Sequence, residues 1–398
     1  MKKIWIGVFL ALAMGVSPAM ARDTMELWNH GCALRGVNIW QSKSYGIIGQ
    51  AGDGHVGPRF TQEDFDLLAG LGANLVNISH PGLFDESGAP DMEAARNLDA
   101  LLDMVLAADM FAVISVRTGP GRNEFTFVRD EAGDWFAPGQ LDESVWTDPE
   151  KQRQWEDMWR FMAERYRDHP AVAAYTLMVE PNACEVLGED GEALEPEEFY
   201  ARYEGKTPDW NAWYPRLVAA IREKDPATPI LVGCEGYASL DWLLHLKPAK
   251  DPYLVYDVHP YTPFDYVFQE PGAPAPYPGT TDWDWDGSPE PLDRERLAQA
   301  LADIAQAPVP VAAMELGAHR NAPNLDAYLT DLAGILESLN CNWAAWSWNP
   351  KGFSNDGDEF VLRRGPDLNG HQDSLETPQL LALKKLWSRN TLSPSGMR

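Results

Sequence analysis

Eight short apolar runs, each followed by a segment of helical periodicity, occupy the chain from Ala33 to Ser388. The runs begin at Ala33, Ala73, Phe111, Ala173, Pro229, Leu254, Val309 and Asn342. Apolar runs of this length need cover on both faces, as in a parallel sheet wrapped by helices. Strict strand–helix alternation demands that arrangement, and eight units close into a barrel. The expected fold class is therefore α/β, a (β/α)8 barrel with long loops at its C-terminal mouth. A doubly wound open sheet is the competing topology. It is set aside because no Gly-rich phosphate fingerprint follows an early strand.

The helical segments carry their own signals. Thr61 reads as an N-cap, with Glu63 and Asp64 in the first turn. Leu98, Leu101, Leu102, Val105 and Leu106 recur at three and four, and Trp155, Trp159 and Met162 share one helix face. A barrel core takes about 250 residues, so the surplus belongs in mouth loops. One runs from Arg122 towards Pro149 and carries Phe125, Phe127, Trp135, Phe136 and Trp146; another, rich in proline and aromatics, follows His259. Loops this long are seldom idle connections.

The chain opens Met1-Lys2-Lys3, then runs uncharged from Ile4 to Val16 and reaches Ala19-Met20-Ala21. A basic start, a short apolar run and an Ala-x-Ala ending describe a secretory signal peptide, 1–21, cut after Ala21. The run is short of the roughly 20 residues a spanning helix needs. Residues 22–398 are then expected as one domain, secreted or periplasmic, without membrane attachment. With 32 basic and 60 acidic residues the formal charge is −28. Such a surface repels nucleic acid and anionic lipid and tolerates neutral partners. Neutral polysaccharide or oligosaccharide fits, as does a count of 16 Trp and 13 Tyr, since aromatic faces stack on sugar rings as readily as they fill cores. A monomer is expected. Four cysteines in an exported chain suggest two disulfides: Cys32–Cys341 at the barrel bottom, where the first and last strands begin, and Cys184–Cys234 near the mouth.

Two carboxylates stand where chemistry is expected in a barrel. Glu180, in Val179-Glu180-Pro181-Asn182, sits at what reads as the last rung of the fourth strand, because Pro181 cannot continue a ladder. Glu315 ends the seventh. One protonated and one ionised carboxyl across a cleft are the minimum apparatus for cleaving a glycosidic bond. No His-Glu-x-x-His, paired Cys-x-x-Cys or serine elbow is present, so no catalytic metal, no other cofactor and no serine nucleophile are expected.

Five strand-end motifs resemble glycoside hydrolase family 5, the cellulase-type retaining glycosidases: Arg35-Gly36-Val37-Asn38, Glu180-Pro181, His259-Pro260-Tyr261, Met314-Glu315-Leu316-Gly317 and Trp346-Ser347-Trp348-Asn349-Pro350. The resemblance covers the whole mature chain. It implies Glu180 as acid/base, Glu315 as nucleophile, His259 and Tyr261 as hydrogen-bonding residues, and Trp346 as the platform under the reacting sugar. Departures accompany it. Val179 stands where the family usually has an Asn donating to the sugar 2-hydroxyl, Asn77 where it has a strand-two Arg, and Arg117 where it has a strand-three His. Arg117 is expected to replace the missing cation beside Glu315, or else to pair with an acid of the long loop. Asn182 or Asn38 is the candidate for the missing donor. His80 and Glu124, just beyond strand ends, are further candidates for the cleft wall. Trp283 and Trp285, in Asp282-Trp283-Asp284-Trp285-Asp286, are candidates for outer sugar subsites, with calcium chelation by the same acidic run as the alternative. The expected reaction is retaining hydrolysis, endo or exo, of a plant, algal or microbial β-glycan. The alternative is a silent carbohydrate-binding barrel, motivated by Val179 and Asn77.

Overall fold

A computed structural model describes residues 24–43, 56–123, 141–189, 192–272, 275–283, 285–353 and 359–397. The segment 1–21 expected as a signal peptide, Glu124, and the loop aromatics Phe125, Phe127, Trp135 and Phe136 lie outside the described residues.

Eight parallel strands close into a barrel. They are β1 Arg35–Trp40, β2 Leu75–Pro81, β3 Phe111–Thr118, β4 Val172–Thr176, β5 Ile230–Gly233, β6 Leu254–Asp257, β9 Val311–Leu316 and β10 Asn342–Ala345. The proline- and aromatic-rich loop after β6 contains a small antiparallel hairpin, β7 Gly279–Thr281 with β8 Glu290–Leu292, which strand periodicity did not announce. The ring order β1-β10-β9-β6-β5-β4-β3-β2 follows the chain around the barrel. Glycine at position 36 follows from that closure. A Cβ there would meet the Leu75 carbonyl oxygen at 1.8 Å, so β1 and β2 approach as they do only because the side chain is missing.

The expected helices form, with their caps. The Asp64 carboxylate accepts from the Thr61 N–H at 2.9 Å and its hydroxyl at 2.8 Å, fixing the start of Gln62–Gly70. Asp91 and Asp148 cap Met92–Ala107 and Pro149–Tyr166 through first-turn N–H groups. Trp155, Trp159 and Met162 are all buried against the sheet.

The barrel interior holds Leu34, Leu75, Phe111, Val113, Leu231, Val255 and Met314, closed below by the short helix Glu26–Asn29. From that helix Trp28 donates its indole N–H to the Ala173 carbonyl at 3.2 Å. Asn342 ties the seam. Its Oδ1 accepts from the Ala33 and Leu34 N–H groups at 2.7 and 2.8 Å, and its amide donates to the Leu27 carbonyl at 2.8 Å.

The expected disulfides are not formed: Cys32, Cys184, Cys234 and Cys341 are free thiols. Each sulfur faces another polar neighbour. Cys32 turns to the Leu34 carbonyl at 3.7 Å, Cys341 to Leu339 at 3.8 Å and Cys234 to Ser239 at 3.1 Å. The Cys184 thiol faces the Glu235 carboxylate. Burial pushes the Cys32 and Cys341 thiols up to about 12, which starves oxidation of the thiolate it needs. Among the described residues no helix is long and apolar enough to cross a membrane.

Candidate active site

The mouth receives its charged side chains from four strands. Glu315 lies within β9 and is 3% exposed. Glu180 is delivered differently from the expected last rung. The β4 ladder ends at Thr176, and Glu180 lies four residues beyond, at φ +54° in the left-handed region that favours glycine. One oxygen of Glu180, one of Glu315 and a ring nitrogen of His259 lie within 4.8 Å of one another.

Three groups organise this pair. Arg117, near the end of β3, donates from Nη2 to Glu315 Oε1 at 3.0 Å, while its Nη1 is 3.9 Å from Glu180 Oε2. Its Nε donates to the Ser79 hydroxyl of β2 at 2.9 Å. Tyr261 donates its phenol to Glu315 Oε2 at 3.1 Å. His259 Nδ1 meets Glu180 Oε1 at 2.8 Å and Glu315 Oε2 at 3.8 Å, and its Nε2 is 3.6 Å from Asp257 Oδ2. Asp257, at the end of β6, is fixed in turn by the Met314 N–H at 2.9 Å. Trp346, just past β10, is half-buried with its ring centroid 5.3 Å from the Arg117 guanidinium carbon.

The electrostatics follow from burial and these contacts. Burial and the facing Glu180 charge push the Glu315 carboxyl up to about 7, against the opposing pull of His259, Arg117 and Tyr261. Burial acts on Glu180 in the same sense. There the hydrogen bond and charge of His259, helped by Arg117 and Arg122, outweigh it and hold the carboxyl below its usual range. Burial opposes charge on His259, but Glu315, Asp257 and Glu180 surround it and keep the imidazolium well above its ordinary range. These are properties of the cluster as a unit. On acidification Glu315 takes a proton; near neutrality these directions leave Glu180 ionised and the proton on His259, across their hydrogen bond. Glu180, His259 and Glu315 are also spaced as a cation's ligands would be. However, Arg117 already places positive charge against Glu315, and a protonated imidazole cannot ligate a metal.

Other candidates sit elsewhere. Asn38 is spent below the site: its amide donates to the Met314 and Ala344 carbonyls at 2.7 and 3.3 Å, and its Oδ1 accepts from Asn77 at 2.6 Å. Asn77 accepts from the Ser115 hydroxyl at 2.5 Å, completing a polar layer inside the barrel. At the level of the carboxylates β2 instead presents Ser79. His80 is fully buried between the Pro81 carbonyl, at 2.5 Å, and Asn97 of the Met92–Ala107 helix, at 3.0 Å; burial brings its imidazole down to about 4, so it is a neutral packing group. Asn182 is buried beside Arg122 and Tyr237, with contacts of 3.4 Å to each. Trp283 is pinned to the hairpin, donating to the Pro291 carbonyl at 3.0 Å under the Arg296 guanidinium. Trp285 is 68% exposed and meets Phe264 edge-on at 5.9 Å. Asp257 and Arg122 were not anticipated. Asp257 carried a signal, since it alternates with His259 and so shares its side of the strand. Arg122 had only the Gly119-Pro120-Gly121 turn that folds it back.

A family model described as "Cellulase (glycosyl hydrolase family 5)" matches residues 36–352. The chain is 30% identical over 130 residues to Endoglucanase C of Acetivibrio thermocellus, covering 32% of this chain and 31% of that protein. It is 26% identical over 227 residues to Beta-xylosidase of Phanerodontia chrysosporium, covering 55% and 40% respectively. The match thus spans well under half the length of these curated relatives. Among solved structures, Thermotoga maritima Cel5A in complex with cellobiose superimposes with a TM-score of 0.60 at 17% identity, over 91% of this chain and 100% of that one. The mannotriose complex of the same protein gives 0.59 at 18%, over the same shares. These superpositions establish likeness of fold.

Proposed function

The chain is a member of glycosyl hydrolase family 5, and from that membership we propose that it hydrolyses β-glycosidic bonds of a neutral oligo- or polysaccharide by double displacement. One observation carries the proposal: opposed carboxyl oxygens within 4.8 Å. A nearest-oxygen approach this short fits carboxyl groups ~5–5.5 Å apart, as in retaining enzymes, better than the ~6.5–9.5 Å that leaves room for an inverting water. Glu315 attacks the anomeric carbon while the proton held by His259 passes through Glu180, hydrogen-bonded to it at 2.8 Å, to the leaving oxygen. Glu180 then takes a proton from water as that water opens the glycosyl ester on Glu315. The active form has Glu315 ionised and one proton on the Glu180–His259 pair. Its population therefore rises as pH passes through about 7 and falls when His259, held well above its ordinary range, loses its proton.

The departures from the family pattern find a physical replacement in Arg117. Its guanidinium supplies the cation that an Arg on β2 would bring. With Tyr261 it also offers N–H and O–H donors beside Glu315, where the sugar 2-hydroxyl sits in such reactions. Trp346 serves as the platform for the reacting ring, and exposed Trp285 as an outer contact for a longer chain. The relatives bear names and ligands of gluco-, xylo- and manno-type, so the proposal is for a β-glycan class rather than one sugar. Export after cleavage at Ala21, with 22–398 as the catalytic domain, completes it.

The test is a panel of aryl β-glycosides and soluble β-glucan, mannan and xylan, with the first product's anomeric configuration read by NMR. Turnover with retention, reduced on the order of 10⁴-fold by Glu315→Gln, is the expected result. Binding without turnover, unchanged by that substitution, would mark a silent carbohydrate-binding barrel instead.

A further inference from the structure

Beyond Thr176 the chain keeps two barrel-type bonds, from the Leu177 N–H to the Leu231 carbonyl at 3.2 Å and from the Val179 N–H to the Val116 carbonyl at 2.8 Å, and these stop one residue short of Glu180 in its left-handed conformation. What surrounds that backbone is an arginine from another loop. Arg122 is fully buried, with its guanidinium spread against main-chain carbonyls. Nη1 donates to Val179 at 2.7 Å and to Arg117 at 3.2 Å; Nη2 donates to Glu180 at 2.7 Å and reaches Asn182 Oδ1 at 3.4 Å. One planar fork thus ties the residue before the acid/base, the acid/base itself and a residue after it to Arg117, which contacts both carboxylates. The fork is anchored in turn. Gly119 and Arg122 exchange backbone hydrogen bonds at 2.9 Å, and Trp155 donates to the Pro120 carbonyl at 2.9 Å. Gly119 lies so close to the Trp155 ring that a Cβ would stand 2.8 Å from it.

The loop after β5 meets the same backbone from the other side. Gly236, Tyr237 and Ala238 all have positive φ, at 69°, 63° and 57°, conformations that persist only where surroundings enforce them. The Tyr237 N–H donates to the Pro181 carbonyl at 2.9 Å. Glu235, in the same loop, is buried; its Oε1 accepts from the Cys184 N–H at 3.0 Å, and its Oε2 has no hydrogen-bond partner among the described residues. Burial and Arg117 bring the Arg122 guanidinium down to about 9, with Glu180, Glu235 and Glu143 acting in the opposite sense.

We propose that Arg122 is a positioning residue for acid catalysis: it clamps residues 179–182 so that Glu180 faces Glu315 and His259, while Glu235, accepting from the Cys184 N–H at 3.0 Å, holds the backbone that follows. The proposal rests on the reading of Glu180 as acid/base. Arg122 acts through Glu180 and not on the sugar. Lysine cannot take its place, since an ammonium is a point charge without the planar fork.

Leaving-group dependence separates positioning from general damage. A 2,4-dinitrophenolate departs without a proton, whereas a sugar leaving group needs one. In Arg122→Lys, kcat/KM on oligosaccharide is expected to fall about 100-fold, the lower range of general acid catalysis. The kcat/KM of the 2,4-dinitrophenyl glycoside, which reports glycosylation alone and not the later step in which Glu180 is the base, should stay within about threefold. Glu235→Gln, nearly isosteric, carries the same prediction at about tenfold and serves if the lysine variant does not fold. Equal losses on both substrates, or none on either, in a folded variant of active enzyme would overturn the proposal while leaving the proposed reaction intact. A folded wild-type chain that turns over no glycoside would overturn the reaction and this proposal with it.

Discussion

Two strands deliver the two carboxylates by opposite means. Glu315 is carried inside β9, which pairs with β6 as far as Ala312 and with β10 as far as Leu316 through a register shift at Met314–Glu315, so closing the barrel places it. Glu180 stands four residues beyond the last rung of β4, and its backbone is held by Arg122 and the strained loop after β5. As the proposed nucleophile, Glu315 needs a fixed point of attack, which a strand supplies. As the proposed acid/base, Glu180 would exchange a proton with a leaving group, with water and with His259, and it sits on backbone whose support comes largely from outside β4. A single fold thus uses a rigid strand for one carboxylate and a borrowed clamp for the other.

The largest expected effect breaks the Glu180 side. Glu180→Gln should lower turnover of polysaccharide roughly 10³-fold, while on a 2,4-dinitrophenyl glycoside, whose leaving group needs no proton, azide should restore turnover as the retained glycosyl azide. It should also move the acid limb of kcat/KM below about 7, because removing the facing negative charge lets Glu315 ionise more easily. Arg117→Gln acts on Glu315 in the opposite sense. Losing the cation at 3.0 Å raises the Glu315 carboxyl, so the acid limb should shift upward as turnover falls about 10²-fold. Opposite displacements in pH–rate profiles of the two variants would establish the comparison; parallel ones would break it. Smallest is Tyr261→Phe, which removes one hydrogen bond to Glu315, worth roughly 1 kcal/mol or about fivefold in kcat/KM, with a slight upward shift of the same limb.

The same contrast governs what could be read from the chain. The barrel was legible because every strand is a contiguous apolar run with a helix after it, and Glu315 was legible because it belongs to such a run. Thr61, Trp155 and Trp159 were likewise legible from periodicity and capping. Glu180 was found from its proline, but its position beyond the ladder was not, since the residues that hold it there come from the ends of β3 and β5. Asn38, His80 and Trp283 were misplaced for a related reason. Strand-end proximity leaves open whether a side chain points up to the cleft, down into the polar layer or outwards to a helix, and a shift of one residue changes the answer. Cysteine count misled because it carries no geometry: buried thiols satisfied by carbonyls and by Glu235 look the same in a sequence as bonded ones.

The amide of Asn342 has a consequence for assembly. It bonds the backbone of Ala33 and Leu34 across more than three hundred residues of chain, and β10 is the strand that seals β1 to β9. Until that strand is in place, the growing protein is an open sheet with two bare edges, each a template for pairing with another chain. Placing β10 therefore removes both edges at once. The residues that complete the barrel also carry Trp346 into the mouth, so the molecule loses its sticky edges and gains its cleft in the same step.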